Sequence, residues 1–289
     1  MWLALAFVSA ALLGFYDVCK KYSLRNNAVI PILFLNTLFC SVIFLPLAFQ
    51  TPFGGWEMQR YILLKACIVL SSWLLGYIGI KNLPITIVGP INATRPVMVL
   101  VGALIIFGER LNLWQWAGVL LAILSFFLLS RSGKKEGIDF KHNRWILCSV
   151  GAAVLGAISG LYDKYLMATE SGLGMPRLTV QCYYNFYQCI MMGAMLLLLW
   201  WPKRNESTPF KWRWNILLIS VFLSVADYVY FYSLSLDGAL ISVVSMVRRS
   251  SVLVSFMLGA LLFHEKNLRS KAIDLALVLL SMILLWLGQ

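Results

Sequence analysis

VGALIIFGERL, residues 101–111, returns later in the chain as LGALLFHEKNL, residues 258–268. Each copy is an apolar helix end with Gly-Ala-Leu, then a phenylalanine, then a glutamate: Glu109 in the first, Glu265 in the second. A short polar turn and a final apolar run follow both. Further back, Lys21-Tyr22-Ser23-Leu24 closes the first apolar run, and Lys164-Tyr165-Leu166-Met167 closes the sixth. The glutamates stand 156 residues apart and the lysines 143, a difference that loop insertions absorb. Self-similarity of this kind marks a chain built from one unit used twice.

The unit is a membrane unit. The 289 residues are 61% hydrophobic and 12% charged, with mean hydropathy +0.81. A soluble domain carries about 25% charged residues. No soluble fold of this length hides so much apolar surface, so the bilayer must be the solvent. A helix needs about 20 apolar residues to cross the hydrocarbon, and such runs fill the chain at 2–19, 29–49, 61–80, 85–107, 114–130, 145–166, 178–200, 215–235, 239–263 and 272–287. Helices are expected because lipid offers the backbone no hydrogen-bond partner. The short alternating segments of a β-barrel are not seen. The first run has its basic residues, Lys20, Lys21 and Arg25, after it, the reverse of a signal peptide, and reads as an uncleaved span.

Ten spans in two units give five spans per unit. An odd number forces the units into opposite orientations, the inverted-repeat plan of secondary transporters. The expected fold is therefore an all-α membrane protein of ten transmembrane helices in two inverted five-helix repeats: residues 1–131, a basic connecting loop 132–144, and residues 145–289. The loops after spans 1, 3, 5, 7 and 9 hold nearly all the loop lysines and arginines, while the opposite loops hold little beyond Arg60, Arg110 and Arg177. Basic loops stay cytoplasmic, so both termini are expected outside. Topology also explains the net charge of +12 better than nucleic-acid binding does. The six cysteines form no CxxC pair and suggest neither a disulfide frame nor a zinc site.

These features resemble the drug/metabolite transporter superfamily, in its ten-span branch with two EamA-type repeats. The residues that carry the resemblance are Phe107-Gly108-Glu109-Arg110-Leu111, its partner Phe263-His264-Glu265, the lysines closing spans 1 and 6, and the Tyr77-to-Pro84 connection. The resemblance implies a basket of ten helices whose spans 3, 4, 8 and 9 help line a central cavity; the chain is expected in the inner membrane. It implies transport of a metabolite without naming one. The chain departs from the family at His264, where a small residue is usual, and in the arginine pair of span 9.

An ionisable group at bilayer depth costs at least roughly 2.5–3.5 kcal/mol on insertion scales, so each one calls for a reason. Arg95 lies mid-span in NATRP (92–96), and Arg248 and Arg249 lie mid-span in SMVRRSS (245–251). Under the repeat offset of 156, Arg95 corresponds to Ser251, beside the arginine pair. Arginine grips carboxylate or phosphate with a planar fork, so these three are candidate contacts to an anionic substrate, with Asn92, Tyr16, Tyr162, Asn185 and Tyr228 around them. The alternative role for the arginines is structural pairing that locks the two halves. Asp227, Asp17 and Asp163 are the candidate counter-charges or coupling carboxylates, and Lys21 and Lys164 the candidate ion-pair lysines. Asp17 precedes Lys20 and Lys21 by three and four residues, a spacing suited to a local helix pair. Glu109 and Glu265, at helix ends, suit capping or loop pairing.

No ATP-binding GxxxxGK[ST], HExxH or GxSxG is present. The sequence therefore points to a secondary transporter without cofactor or metal, working on a small, anionic or zwitterionic molecule with proton or exchange coupling. The alternatives are a flippase for a phosphorylated lipid carrier and a non-transporting membrane enzyme or scaffold.

Overall fold

A computed structural model describes residues 1–24, 26–82, 91, 94–131, 144–205, 208–251, 254 and 268–288. These residues form α1 (Trp2–Leu24), α2 (Val29–Ala48), α3 (Gly55–Asn82), α4 (Arg95–Ile106), α5 (Leu113–Arg131), α6 (Arg144–Met167), α7 (Arg177–Met195), α8 (Asn215–Leu234), α9 (Ile241–Arg249) and α10 (Leu268–Leu287). A π-helical turn and a 3-10 turn extend α7 to Lys203. Among the described residues, six stretches are long and apolar enough to cross a membrane: α1, α2, Gly55–Gly76 of α3, Trp145–Met167 of α6, Arg177–Lys203, and α8. The chain is an all-helical protein with membrane-spanning helices, and no strand occurs among the described residues.

The helices begin and end where local chemistry dictates. Pro96 occupies the first turn of α4, where its missing amide costs no hydrogen bond. Gly108, at φ 59°, ends α4 with a left-handed residue and turns the chain so that Glu109 leaves at an angle to the helix. Leu240 enters α9 in an extended conformation and supplies no side-chain cap.

The main packing pairs are α1 with α8, α3 with α6, α2 with α7, and α5 with α10. Secondary contacts join α2 to α8, α3 to α7, α4 to α6, α4 to α9, and α1 to α9. Apolar burial cannot drive helices together in lipid, so small and hydroxyl residues carry the close contacts. Ser9 Oγ on α1 donates to Ala226 O on α8 at 2.8 Å, and Ser72 Oγ on α3 donates to Ala152 O on α6 at 2.8 Å. Ser41 Oγ on α2 reaches Asn185 O on α7 at 3.0 Å. Buried Asn27 ties the α1–α2 turn to the approach to α8: its Nδ2 donates to Lys211 O at 2.6 Å and its Oδ1 accepts from Lys211 N at 2.8 Å.

Candidate functional site

Glu109 anchors α9 from a distant part of the chain. Its Oε1 accepts from the Ile241 amide at 2.7 Å and from Lys164 Nζ at 2.6 Å. Its Oε2 accepts from the Ser242 amide at 3.2 Å and from the Ser242 hydroxyl. Lys164 Nζ also donates to Ala239 O at 2.9 Å. A carboxylate at a helix N-terminus satisfies free amides and complements the dipole. Arg248 and Arg249 fill the last turn of the same helix, where cations are favoured. The nine-residue α9 thus has its negative partner at one end and its cations at the other.

This anchoring sets the depth of the arginines. α9 runs away from Glu109 for nine residues, about 13 Å at 1.5 Å per residue. α4 runs toward Glu109 over twelve residues, about 18 Å. The two helices pack together, with α4 ending and α9 starting at Glu109, and Arg95, at the start of α4, lies in the field of Arg248 and Arg249. The clamp and the arginines are therefore separated by about half of a ~30 Å hydrocarbon core.

Around the arginines the charges sort unevenly. Arg248 Nη2 donates to Asp227 Oδ1 on α8 at 2.7 Å, and its guanidinium lies 3.9 Å from the centre of the Tyr230 ring. Both pairing and ring stacking hold it. Lys65 on α3 pairs with Asp163 on α6, and its Nζ lies 4.6 Å from the Tyr184 ring centre and 4.8 Å from that of Phe231. Arg95 and Arg249 have no salt bridge among the described residues. Arg95 stands in the field of Arg248 and Asp163. Arg249 stands in that of Arg95, Asp17 and Arg248. Both are partly buried. The Arg95 guanidinium lies on the face of α6 at Gly156, where an added Cβ would sit 2.7 Å from its Cζ. Glycine at 156 makes that close approach possible.

The sequence model of the EamA-like transporter family matches residues 1–131 and 143–287. The chain belongs to this family. It is an integral membrane protein. A relative from Archaeoglobus fulgidus, described as an uncharacterized transporter, is 26% identical over 135 residues, which cover 45% of this chain. The aligned part spans about half (49%) of that relative's length. A solved crystal structure matches with a TM-score of 0.76 at 14% identity, over 99% of this chain and 97% of that one. At that identity the likeness establishes the fold alone.

Within this family member the remaining candidates take varied positions. Tyr16 is buried, packs with Ile32, Ile216 and Ile219, and has Lys20 Nζ 5.3 Å from its ring centre. Asp17 is partly buried and feels Lys20 and Arg249. Tyr162 donates to Tyr61 O at 3.2 Å. Asn185 is buried, and its Nδ2 has no partner among the described residues. Tyr228 lies beneath Arg177, whose Cζ is 5.9 Å from its ring centre, with the Tyr232 ring nearer at 3.8 Å. Asn92, Glu265 and His264, and the side chain of Lys21, lie outside the described residues. Asp163 faces Lys65 rather than an arginine, because α3 and α6 pack along their lengths. Lys65 is the residue that sequence reading passed over. Its signal was available: a lysine inside the apolar run YILLKACIVL (61–70) is an intramembrane charge that demands a partner.

Proposed function

We propose that the chain is a secondary transporter for a small anionic or zwitterionic metabolite, working by alternating access in a bacterial inner membrane with both termini outside. Its moving parts would be two inverted five-helix halves, residues 1–131 and 145–289, joined by the basic connection 132–144. The packing pairs support this. Exchanging α1–α5 with α6–α10 turns α1/α8 into α6/α3, α2/α8 into α7/α3, and α1/α9 into α6/α4. The same exchange maps α2/α7, α4/α9 and α5/α10 onto themselves. Every one of these is a packed pair.

Individual contacts repeat in the same way. The bonds Ser9 to Ala226 O and Ser72 to Ala152 O are counterparts: 9 and 152 are 143 apart, and 72 and 226 are 154 apart. A Cβ on Gly14 would meet Ser251 O at 2.9 Å, as one on Gly156 would meet Arg95, and 95 and 251 differ by 156.

The observation that carries the anionic cargo is the pair of guanidiniums, Arg95 and Arg249, that lie inside the helix bundle with no salt-bridge partner among the described residues. Coupling to protons or to a counter-anion would run through Asp227, Asp17 and Asp163: Asp17 lies in the field of Arg249, Asp163 in that of Arg95, and Asp227 pairs with the adjacent Arg248. Uptake of candidate metabolites into proteoliposomes tests the reading. Wild-type protein is expected to accumulate an anion under a proton or exchange gradient, and Arg249→Ala to lose that uptake. Unchanged uptake of every cargo by both Arg95→Ala and Arg249→Ala would overturn the site.

A further inference from the structure

Building on the anionic-cargo reading, we infer that the site takes cargo bearing two negative charges, a phosphomonoester or a dicarboxylate. Charge balance carries the inference. Linked to Arg95 and Arg249 through successive ion pairs and fields, the described side chains include five cations, Lys20, Lys65, Arg95, Arg248 and Arg249, and three carboxylates, Asp17, Asp163 and Asp227. Asp227 is used by Arg248 and Asp163 by Lys65. Asp17 lies within the field of both Lys20 and Arg249 and can neutralise one of them. Two positive charges are left over. The C-terminal end of α9 offsets about half a charge, well short of two.

Uncompensated charge at this depth is costly, and the fold does nothing to avoid it. Instead Gly156 makes room for the Arg95 guanidinium, while Asp227 and the Tyr230 ring hold Arg248 to one side. The two remaining forks come from different helices, α4 and α9, which pack against each other. Each can take a carboxylate or share a phosphoryl group in bidentate fashion. A monoanion leaves one positive charge unmatched. A zwitterion also brings its ammonium into a cationic field.

Matched probes test the inference on detergent-purified full-length protein by thermal unfolding, at mildly alkaline pH and constant ionic strength. The pairs are succinate with monomethyl succinate, phenyl phosphate with methyl phenyl phosphate, and sulfate with methyl sulfate. At least one dianion is expected to bind roughly tenfold or more tightly than its monoanionic partner. Arg95→Gln and Arg249→Gln are each expected to erase that preference. If monoanions bind as tightly as dianions and binding still needs the arginines, the two-charge inference fails while the anionic reading survives. If no soluble probe of either charge binds and phosphatidate does not stabilise the protein either, both fail. A third arm places the protein in nanodiscs with phosphatidate or with phosphatidylcholine alone. Stabilisation by phosphatidate but by no soluble dianion keeps the two-charge site and overturns the soluble metabolite as its cargo. The wild-type comparison requires no variant to fold.

Discussion

Replacing Lys65 with methionine removes one partner of a deeply enclosed ion pair, and the structure sets the size of the effect. The side chains of Lys65 and Asp163 are 3% and 9% exposed. In Lys65→Met, Asp163 stays buried as a carboxylate without its paired cation. Removing one member of a buried pair costs about 3–5 kcal/mol, because the survivor has lost both water and counter-charge. The new methionine itself fits: it takes up similar space between the Tyr184 and Phe231 rings that flank Lys65, where a thioether packs well. The cost therefore belongs to the orphaned carboxylate. The double variant Lys65→Met/Asp163→Leu is expected to recover most of the loss, since replacing a whole buried pair with apolar groups is often neutral or stabilising. Unfolding in mixed micelles, followed by tryptophan fluorescence, measures all four corners of this double-mutant cycle. A single variant as stable as wild type, or a double variant no better than the single, would refute the account of the pair.

Three further outcomes follow from the same geometry. In Gly156→Ala the added Cβ displaces the Arg95 guanidinium, a movable side-chain end; stability is expected to hold or rise by up to about 1 kcal/mol from helix propensity. Anion binding in that variant, measured by thermal shift, is expected to weaken several-fold, and unchanged affinity would contradict the placement of Arg95. Glu109→Gln leaves Lys164 without its carboxylate, at side-chain exposures of 9% for Lys164 and 2% for Glu109; the expected loss is about 3–5 kcal/mol. Hydrogen exchange should then speed up at the Ile241 and Ser242 amides, and equal protection in variant and wild type would show that Glu109 does not hold α9. Ser242→Ala removes one donor to Glu109 and is expected to cost about 1 kcal/mol by the same unfolding measurement.

Much of the fold was legible in the sequence because lipid removes most alternatives. Once the bilayer is the solvent, an apolar run of sufficient length has to satisfy its own backbone, and a helix does that. Boundaries such as Gly108 after α4 follow from backbone sterics that any reader can apply. Arg95, Arg248 and Arg249 stood out because charge is rare in such runs. Lys65 was overlooked because it sits near the start of its run, where a lysine can be taken for an interfacial residue. Its depth depends on how α3 leans against α6, α7 and α8, which hydropathy does not encode.

The sequence alone determined that this is a helical membrane chain, where its charged residues fall along each run, and that a Phe-to-Glu phrase occurs twice, since each of these depends on local composition and spacing. Tertiary structure decided which charges meet. Asp163 goes to Lys65, Asp227 to Arg248, and Glu109 to Lys164 and the start of α9. Those pairings join residues 21 to 132 positions apart, and long-range partners are set by helix packing rather than by neighbours in the chain. The two arginines left over, and with them the charge expected of the cargo, emerge only once those pairings are known.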